Sequence, residues 1–450
     1  MHDKVNNKEE IFVIPKESDK YILYAPLRGS SALVNAATVS VVARYLQDKK
    51  EGFDGKDLEI LNTLTDQGML GDPVPRPPLF PDNYVFYPHE VTLFPTSRCN
   101  LRCRYCYAEA GKKSVDMPLE IAQAAIDVVA TNGGLLGSKS FVVGFHGGGE
   151  PTVAWHIITG SIDYGLKKSQ ESGLDVEFHM ATNGMLTDMQ RKYIVEHFTT
   201  VNVSLDGPDY IQNHNRPKVN GGDSFSEVYE SLLYFDQNGF HYGIHTTITD
   251  YTVARMEEIV SWLAGRFNLK YLQIEPAWFC GRCISSGEKS PDEDAFVENF
   301  LKVRVIAREK GINLFYSGAR INVLTSKFCA APGDGFNVLP EGVVTSCYEV
   351  TDMDDPRANI FHYGRYNHNS NTFDFDMKRM KELSKLSVEN LPFCRDCFCK
   401  WHCSGDCLAK AVDSNNAFCH QGSFRCKLNR RLTLAQIEEQ LLGGDYGRQT

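Results

Sequence analysis

The segment VTLFPTSRCNLRCRYCYAEAG, residues 91–111, joins a short apolar run to three closely spaced cysteines. The apolar run has the composition of a buried β-strand. The cysteines follow it with the spacing C-x3-C-x2-C, at Cys99, Cys103 and Cys106. Three thiolates on one loop can bind three irons of a cubane cluster, which leaves the fourth iron open to a substrate or cofactor. Taken alone, the triplet could also be a zinc knuckle or three reduced thiols.

Five more apolar runs follow along the chain, and helical patterns separate them. The six runs are Val91–Phe94, Phe141–Phe145, Val176–Met180, Val201–Leu205, Tyr242–Ile248 and Tyr271–Ile274. Strands that alternate with helices predict βαβ units and a parallel sheet, so the fold class is α/β and six units predict a partial (β/α)6 TIM-type barrel. Unusual or polar residues come just after the strands, at Cys99, Gly147, Asn183, Asp206 and Glu275. We expect the chemistry at that end of the barrel.

The segments on either side of the predicted barrel have different patterns. Residues 10–70 combine three short β-type runs with two helical repeats, the first capped by Asn35, and predict a winged-helix-like module. Six prolines between Gly71 and Pro88 predict an extended linker. After about Phe315 the sequence is irregular and rich in cysteine, so we expect loops held by metal rather than by a large apolar core. The predicted domains are residues 1–86, 87–310 and 311–450.

Composition and charge restrict the class of protein. The chain has 450 residues, of which 42% are hydrophobic and 23% charged, as expected of a folded protein with several domains. Its 57 acidic and 47 basic residues give a net charge of -10, so no nucleic-acid partner is expected. We see neither a secretion signal nor a bilayer-spanning apolar stretch, and expect a cytoplasmic protein without a membrane partner. In such a compartment, the 14 cysteines favour metal ligation over disulfides.

A glycine-rich turn follows the second predicted strand and contains Gly147, Gly148, Gly149 and Glu150. Consecutive glycines let a ligand approach the backbone, whose N–H and C=O groups can bind an amino acid moiety. Together with the C-x3-C-x2-C loop one βα unit earlier, this turn resembles the radical S-adenosylmethionine (SAM) superfamily. The resemblance implies a 4Fe-4S cluster on the three cysteines and contact between the GGGEP segment and the methionyl amine of SAM.

The same resemblance implies further SAM contacts along the barrel. They are Tyr105 near the adenine, and Asn183, Ser204 and Arg216 near the carboxylate and ribose. Taken singly, Asn183 could be an ordinary turn residue, Ser204 could bind a local backbone group, and Arg216 could be a surface cation.

A second set of cysteines lies in the last third of the chain. Its spacing is C-x12-G-x4-C followed by C-x2-C-x5-C-x3-C and one later cysteine, which is too many thiols for a single ion and fits two clusters. The pattern resembles the SPASM domain of radical SAM enzymes that act on peptides and proteins, although a zinc ribbon is an alternative for the second group alone. The resemblance implies a distal cluster on Cys394, Cys397, Cys403 and Cys426, and a nearer one on Cys329, Cys347 and Cys407.

The fourth position of the nearer cluster stays open in this interpretation. It is either vacant, so that a substrate could bind iron, or filled by Cys280 or Cys283. Cys399 and Cys419 fall outside the pattern and are expected to be buried reduced thiols.

The resemblance implies an enzyme with SAM and three 4Fe-4S clusters as cofactors. The first hypothesis is a maturase that oxidatively crosslinks a ribosomally made precursor peptide through a C–C or thioether bond. The front module resembles leader-recognition (RRE, PqqD-like) domains, which bind a leader as an added strand. Its alternative roles are packing and dimerisation. A flavodoxin or ferredoxin is the expected reductant.

Two other hypotheses compete with crosslinking. The second is a sulfatase-maturase-type oxidase that forms formylglycine. In that group an aspartate follows the G-x4-C cysteine, whereas here Tyr348 and Glu349 follow Cys347, which counts against it. The third is a noncatalytic iron-sulfur electron-transfer protein, which would leave the glycine turn unexplained.

Overall fold

The computed structural model describes residues 3–6, 10–47, 52–78, 85–333, 335–412 and 421–443. The strands are Asp3–Asn6 (β1), Ile11–Pro15 (β2), Lys20–Ala25 (β3), Ser30–Asn35 (β4), Glu90–Leu93 (β5), Ser140–Phe145 (β6), Asp175–Thr182 (β7), Thr200–Ser204 (β8), Tyr242–Ile248 (β9), Tyr271–Pro276 (β10), Asn313–Phe315 (β11), Asn337–Val338 (β12), Val343–Thr345 (β13), His362–Asn367 (β14) and Thr372–Phe375 (β15).

The α-helices follow the same chain order. They are Ala36–Leu46 (α1), Gly55–Asp66 (α2), Leu119–Leu136 (α3), Trp155–Ser172 (α4), Asp188–His197 (α5), Asp209–Asn215 (α6), Phe225–Gln237 (α7), Met256–Arg266 (α8), Arg282–Ser286 (α9), Glu293–Glu309 (α10), Ala358–Phe361 (α11), Met377–Leu383 (α12), Lys400–Cys403 (α13), Leu408–Ala411 (α14) and Arg425–Leu441 (α15). Over the residues described, none of them is long and apolar enough to cross a membrane.

The N-terminal module is an antiparallel sheet in the order β1-β2-β3-β4, followed by α1 and α2. Alternation along the strands gives the sheet two apolar faces. One face packs against the two helices through Ile11, Val13, Leu23, Val42 and Leu61. The other packs against the C-terminal cysteine region through Phe12, Ile14, Ile22, Tyr24, Phe398, Cys399, Cys403 and Ile437. The predicted order of sheet and helices is therefore present, while the winged-helix description stays a prediction.

The predicted cap of α1 is present, since the Asn35 side-chain oxygen accepts a hydrogen bond from Thr38 N at 2.9 Å. Asn35→Ala is expected to lower the free energy of unfolding by about 1 kcal/mol, because one N–H at the helix end loses its partner. Asn35→Asp, which keeps the cap, should cost less. The apparent unfolding midpoint of both variants checks this, and equal midpoints would contradict it.

A parallel sheet forms the centre of the molecule. Strands β5 to β11 lie side by side in chain order, and each neighbouring pair is parallel. Parallel neighbours need crossover connections, and helices supply them between β5 and β10. The six predicted strands are all present. The result is a mixed α/β fold with a large parallel sheet, consistent with a partial barrel.

The sheet continues beyond the six predicted strands. β11 adds to one side, and β12 pairs with β5 in parallel on the other, where β13, β14 and β15 continue as antiparallel neighbours. The rings of Phe86, Phe336, Tyr363, Phe373 and Phe375 pack together beside these strands. The expectation of loops without a large apolar core is therefore wrong for this part. Strands as short as β12, with two residues, show no periodicity in a sequence.

The predicted linker is extended and partly packed. Residues 71–78 and 85–88, the described parts of the Gly71–Pro88 segment, contain neither helix nor strand, as its prolines require. Phe86 is nevertheless buried against Phe336 and Tyr363. Phe86 therefore attaches the end of this segment to the extended sheet.

Candidate functional site

The loop between β5 and α3 carries the first three cysteines, and backbone hydrogen bonds fix it on two sides. Arg102 N and Arg104 N donate to Pro217 O and Asn215 O, at 2.7 and 2.9 Å. On the other side Glu150 N donates to Arg98 O at 2.8 Å. Three segments that the sequence analysis selected separately therefore meet at one end of the parallel sheet.

The thiols of this loop are poorly solvated and close to one another. Burial, together with Cys103, Glu150 and Cys106, raises the pKa of Cys99 to about 12. Burial likewise raises the pKa of Cys103 to about 11, although Arg216 opposes the shift. A buried thiol loses its proton readily only when a positive charge, such as a bound iron, stabilises the thiolate, so the donor set fits an iron cluster.

The described residues contain no group of three His, Cys, Asp or Glu side chains that could hold a single metal ion. The sulfur ligands of a cubane cluster bind different irons and need not converge on one point.

The glycine turn after β6 has no room for side chains. A Cβ on Gly147 would lie 2.3 Å from Gly149 O, and a Cβ on Gly149 would lie 2.2 Å from Arg98 O. Both contacts are with backbone atoms, which cannot move aside as a flexible side chain could. Glycine is therefore required for the turn to lie directly against the cysteine loop.

Gly149→Ala is expected to force the glycine turn away from the cysteine loop and to cost about 1–3 kcal/mol of stability. Iron retained after anaerobic reconstitution should fall, because Arg98 immediately precedes Cys99. Gly134→Ala in α3 is the matched control, since a Cβ there meets no atom within 4 Å. Equal iron content in both variants would contradict the assignment.

Glu150 is buried, and both oxygens of its carboxylate accept hydrogen bonds within the protein. It accepts hydrogen bonds from Thr152 N and Thr152 Oγ1 at 3.2 and 2.8 Å, from Thr182 Oγ1 at 2.7 Å and from Asn183 N at 2.7 Å. Burial raises its pKa, and these hydrogen bonds oppose the rise. The side chain thus joins the glycine turn to the end of β7. The backbone of Gly147–Gly149 is left as the part of this segment suited to bind a ligand.

Asn183 and Ser204 occupy the ends of neighbouring strands. Asn183 is buried, its Nδ2 donates to Asn100 Oδ1 at 2.7 Å, and its Oδ1 accepts from Met185 N at 3.0 Å. It is therefore a turn residue that also contacts the cysteine loop. Ser204 ends β8 and is half-buried. Neither position contradicts a SAM contact, which stays a prediction for both.

Arg216 is buried rather than a surface cation. Its Nε lies 3.2 Å from Asp206 Oδ1, and its Nη1 donates to Cys103 Sγ at 3.9 Å. Its guanidinium carbon is 5.2 Å from the ring centroid of Tyr105. Arg216 therefore contacts the cysteine loop, and Tyr105 belongs to it.

Asp206 is a site residue whose role the sequence reasoning missed. It is fully buried, pairs with Arg216, and accepts from Tyr105 Oη, from Asn215 Nδ2 at 3.0 Å and from Thr247 N at 3.1 Å. The available signal was an acidic residue directly after a strand of a parallel sheet. Asp206 holds the tyrosine and the arginine in place beside the cysteines.

The nearer group of the second cysteine set lies beside the carboxylate of Glu349. Cys407 Sγ lies 3.8 Å from Glu349 Oε1, and the same oxygen lies 2.7 Å from Lys410 Nζ. Burial, followed by the charge of Glu349, raises the pKa of both Cys347 and Cys407. Cys329 is also an electrostatic neighbour of both thiols. The three predicted ligands therefore lie together.

The distal group is also brought together. The pKa of the Cys403 thiol is raised by burial and then by Asp406, Cys397, Cys394 and Cys426, so the other three predicted ligands are electrostatic neighbours of Cys403. Cys399 is buried as expected, but its Sγ lies only 3.3 Å from Cys397 Sγ. Cys419 lies outside the described residues.

A cavity of about 320 Å³ lies between the first cysteine loop and the nearer group. Tyr107, Gly148, Glu349, Thr351 and Arg357 are among its lining residues. A cavity of this size at the edge of a parallel sheet is where a ligand is expected. Tyr107 and Glu349 are lining residues that the sequence analysis did not assign.

Comparisons with known proteins agree with this arrangement. The family model of the Radical SAM superfamily matches residues 93–263. An uncharacterized protein of Methanocaldococcus jannaschii is 29% identical over 40% of this chain and 59% of its own length. A cysteine-type anaerobic sulfatase-maturating enzyme of Clostridium perfringens is 24% identical over 69% of this chain and 86% of its own length.

Solved structures show the same fold. Native anSMEcpe with bound AdoMet and Kp18Cys peptide has a TM-score of 0.60 at 20% identity, covering 79% of this chain and 99% of that one. Streptococcus suis SuiB has a TM-score of 0.53 at 14% identity, covering 92% and 98%.

Proposed function

We propose that this chain, whose residues 93–263 match the family model of the Radical SAM superfamily, is an enzyme that cleaves SAM reductively and oxidises a peptide or protein substrate. The observation that carries the proposal is the cavity of about 320 Å³. It is lined by Gly148 of the glycine turn and by Glu349, which lies beside the second cysteine set. One substrate could therefore contact both regions at once.

Some residues of the first site would bind the cluster and SAM, and others position those residues. Cys99, Cys103 and Cys106 would hold a 4Fe-4S cluster, and the backbone of Gly147–Gly149 would bind the methionyl group of SAM. When bound, the cluster and SAM together supply a 5'-deoxyadenosyl radical that takes a hydrogen atom from the substrate.

The supporting residues are held by contacts within the protein. Asp206 fixes the Tyr105 hydroxyl and the Arg216 guanidinium, so that a positive charge lies beside Cys103. Glu150 fixes the glycine turn to the end of β7. These buried contacts would orient the groups that face the cofactor.

The second cysteine set fits a reaction that removes a further electron. A substrate radical becomes a closed-shell product only when it loses an electron and a proton, or couples with another group. Clusters on Cys329, Cys347 and Cys407, and on Cys394, Cys397, Cys403 and Cys426, would accept that electron. We therefore propose three clusters in total and an oxidative crosslink in a ribosomally made precursor peptide as the first candidate reaction.

Formylglycine formation is the second candidate, and the comparison with the Clostridium perfringens enzyme favours it, because the match extends over 86% of that relative. This chain has Tyr348 and Glu349 after Cys347. Glu349 lines the cavity and lies two residues from the cysteine, so a carboxylate is present near the position where that group has its aspartate.

The N-terminal module would bind the leader of a precursor peptide. Its strand β4 lies at the edge of the sheet among the described residues, and Leu33 on that strand is 55% exposed. Addition of a leader strand at such an edge needs no new fold. The same module also packs on the cysteine region, as described above, so the two roles are compatible.

Anaerobic reconstitution followed by mass spectrometry tests the proposal. Three cubanes predict about twelve irons per chain, and addition of SAM and dithionite should yield 5'-deoxyadenosine. Peptides encoded beside the gene and a Cys- or Ser-containing sulfatase peptide would then be assayed for product. Loss of hydrogen without aldehyde reactivity supports a crosslink, and a new aldehyde supports formylglycine. Iron without 5'-deoxyadenosine would instead indicate an electron-transfer protein.

A further inference from the structure

The helix α15 brings a buried asparagine to the distal cysteine group. Asn429 lies one helical turn after Cys426, so the two residues are neighbours on the same side of the helix. The Asn429 side-chain nitrogen Nδ2 donates to Cys403 Sγ at 3.1 Å, and Asn429 is 1% exposed. Cys403 is buried as well. A side-chain amide therefore contacts the sulfur of a proposed cluster ligand in the interior of the protein.

Two further residues fix the orientation of this amide. Tyr316, which follows β11, donates from its hydroxyl to Asn429 Oδ1 at 2.7 Å. Gly318 lies so close to the amide that a Cβ there would be 2.0 Å from Asn429 Oδ1 and 2.9 Å from Asn429 Nδ2. Tyr316 is itself buried, and the Arg425 guanidinium carbon lies 5.1 Å from its ring centroid. The amide oxygen is therefore turned toward Tyr316, and its N–H toward Cys403.

A sulfur that binds iron requires this orientation. A thiolate has no proton to donate, so it can accept from the amide N–H but would face the amide oxygen as a second acceptor. The Tyr316 hydroxyl supplies the donor that the oxygen needs on the opposite side. A backbone group acts in the same sense on a second ligand, since Ser423 N donates to Cys426 Sγ at 3.3 Å. The distal group thus receives hydrogen bonds at two of its sulfurs.

We propose that Asn429 raises the reduction potential of the distal cluster by donating a hydrogen bond to the Cys403 sulfur. The inference rests on the proposed function, since it assumes a cluster on Cys394, Cys397, Cys403 and Cys426. On reduction such a cluster gains one electron, and no bond forms or breaks. Because the cluster becomes more negative, the positive end of the N–H dipole stabilises the reduced form more than the oxidised form.

A higher potential at the distal cluster has a consequence for the reaction. It favours transfer of the electron of the substrate radical from the nearer cluster to the distal one. The substrate loses that electron together with a proton, the proton leaves to solvent or a nearby base, and the distal cluster is reduced by one electron.

The test uses the full chain with Cys99, Cys103 and Cys106 replaced by alanine, so that only the auxiliary clusters give electron paramagnetic resonance signals. Adding Cys394→Ala identifies the distal signal, because it removes a ligand of that cluster alone. Asn429→Leu has a side chain of similar size without an N–H group. In a redox titration it should lower the distal reduction equilibrium about tenfold, which is about 59 mV for one electron, and leave the nearer midpoint unchanged.

Two more variants separate the hydrogen bond from the packing around it. Gln436→Leu is the matched control, because Gln436 is a buried amide two turns further along α15 that donates to Ala319 O at 3.2 Å. It should leave both midpoints unchanged. Gly318→Ala keeps Asn429 but displaces its amide, since the added Cβ would overlap the amide oxygen. It should also lower the distal midpoint.

Labelling of asparagine side chains with ¹⁵N gives a readout that does not depend on how any Asn429 variant folds. Pulsed electron paramagnetic resonance of the reduced distal cluster should show a ¹⁵N coupling when Asn429 is intact. The proposal is overturned if that coupling is absent, if neither Asn429→Leu nor Gly318→Ala lowers the distal midpoint, or if Gln436→Leu lowers it equally. Absence of auxiliary signals from the unaltered chain would instead refute the proposed function itself.

Discussion

Replacing Cys99, Cys103 and Cys106 together by alanine is expected to abolish 5'-deoxyadenosine formation and to remove about four irons per chain. The reason is local, because the glycine turn and the Arg216 guanidinium both contact this one loop. Without its thiols the loop has no ligand for iron, and SAM has no reductant beside it. The measurement is chromatographic detection of 5'-deoxyadenosine after anaerobic incubation with SAM and dithionite, alongside iron and sulfide analysis.

The control for the triple variant is Cys283→Ala, which removes a buried thiol that donates to Glu288 O and lies outside the proposed ligand sets. It should keep the full iron content and full SAM cleavage. Persistent 5'-deoxyadenosine formation in the triple variant would show that SAM binds elsewhere. A normal iron content in that variant would show that the loop holds no cluster.

The sequence was sufficient for the six predicted parallel strands because their apolar runs are four to seven residues long and helical patterns separate them. β9, for example, has the predicted bounds Tyr242–Ile248. It was insufficient for β12 to β15, which gain their stability from pairing with β5 and from the rings around Phe336. Pairing partners distant in the chain leave no local pattern.

The candidate site shows the same division between local and distant signals. Cysteine spacing and consecutive glycines are local features, and they predicted the two segments that the structure brings together. The pairing of Asp206 with Arg216 depends on which side chains face each other after folding. The spacing C-x2-C treats Cys280 and Cys283 alike, whereas their surroundings distinguish them.

The attachment of the N-terminal sheet could not be predicted for a similar reason. Glu10 lies just before β2, and Lys400 lies in α13, yet Lys400 Nζ is 2.8 Å from Glu10 Oε1 with exposures of 4% and 1%. Arg76 and Glu389 extend the pair toward the surface, with Arg76 Nη1 2.8 Å from Glu389 Oε1. A charge pair this deeply buried joins the front module to the cysteine region.

Lys400→Met is expected to lower stability by about 3–5 kcal/mol, because the buried Glu10 carboxylate loses the cation that lies 2.8 Å from it. The strands Ile11–Pro15 and Lys20–Ala25 should exchange their amide hydrogens faster, and the unfolding midpoint should fall. Hydrogen-deuterium exchange with mass spectrometry, together with thermal denaturation of the apo chain, measures both effects.

The double variant Glu10→Gln with Lys400→Met separates the lost pair from the lost packing. It should recover much of the single variant's loss, because the buried carboxylate that lost its nearest cation is removed as well. Lys167→Met, at an exposed pair with Glu171 on α4, is the surface control and should leave the midpoint unchanged. If the double variant is no more stable than Lys400→Met alone, the cost comes from packing around α13, and the charge pair is not what attaches the sheet.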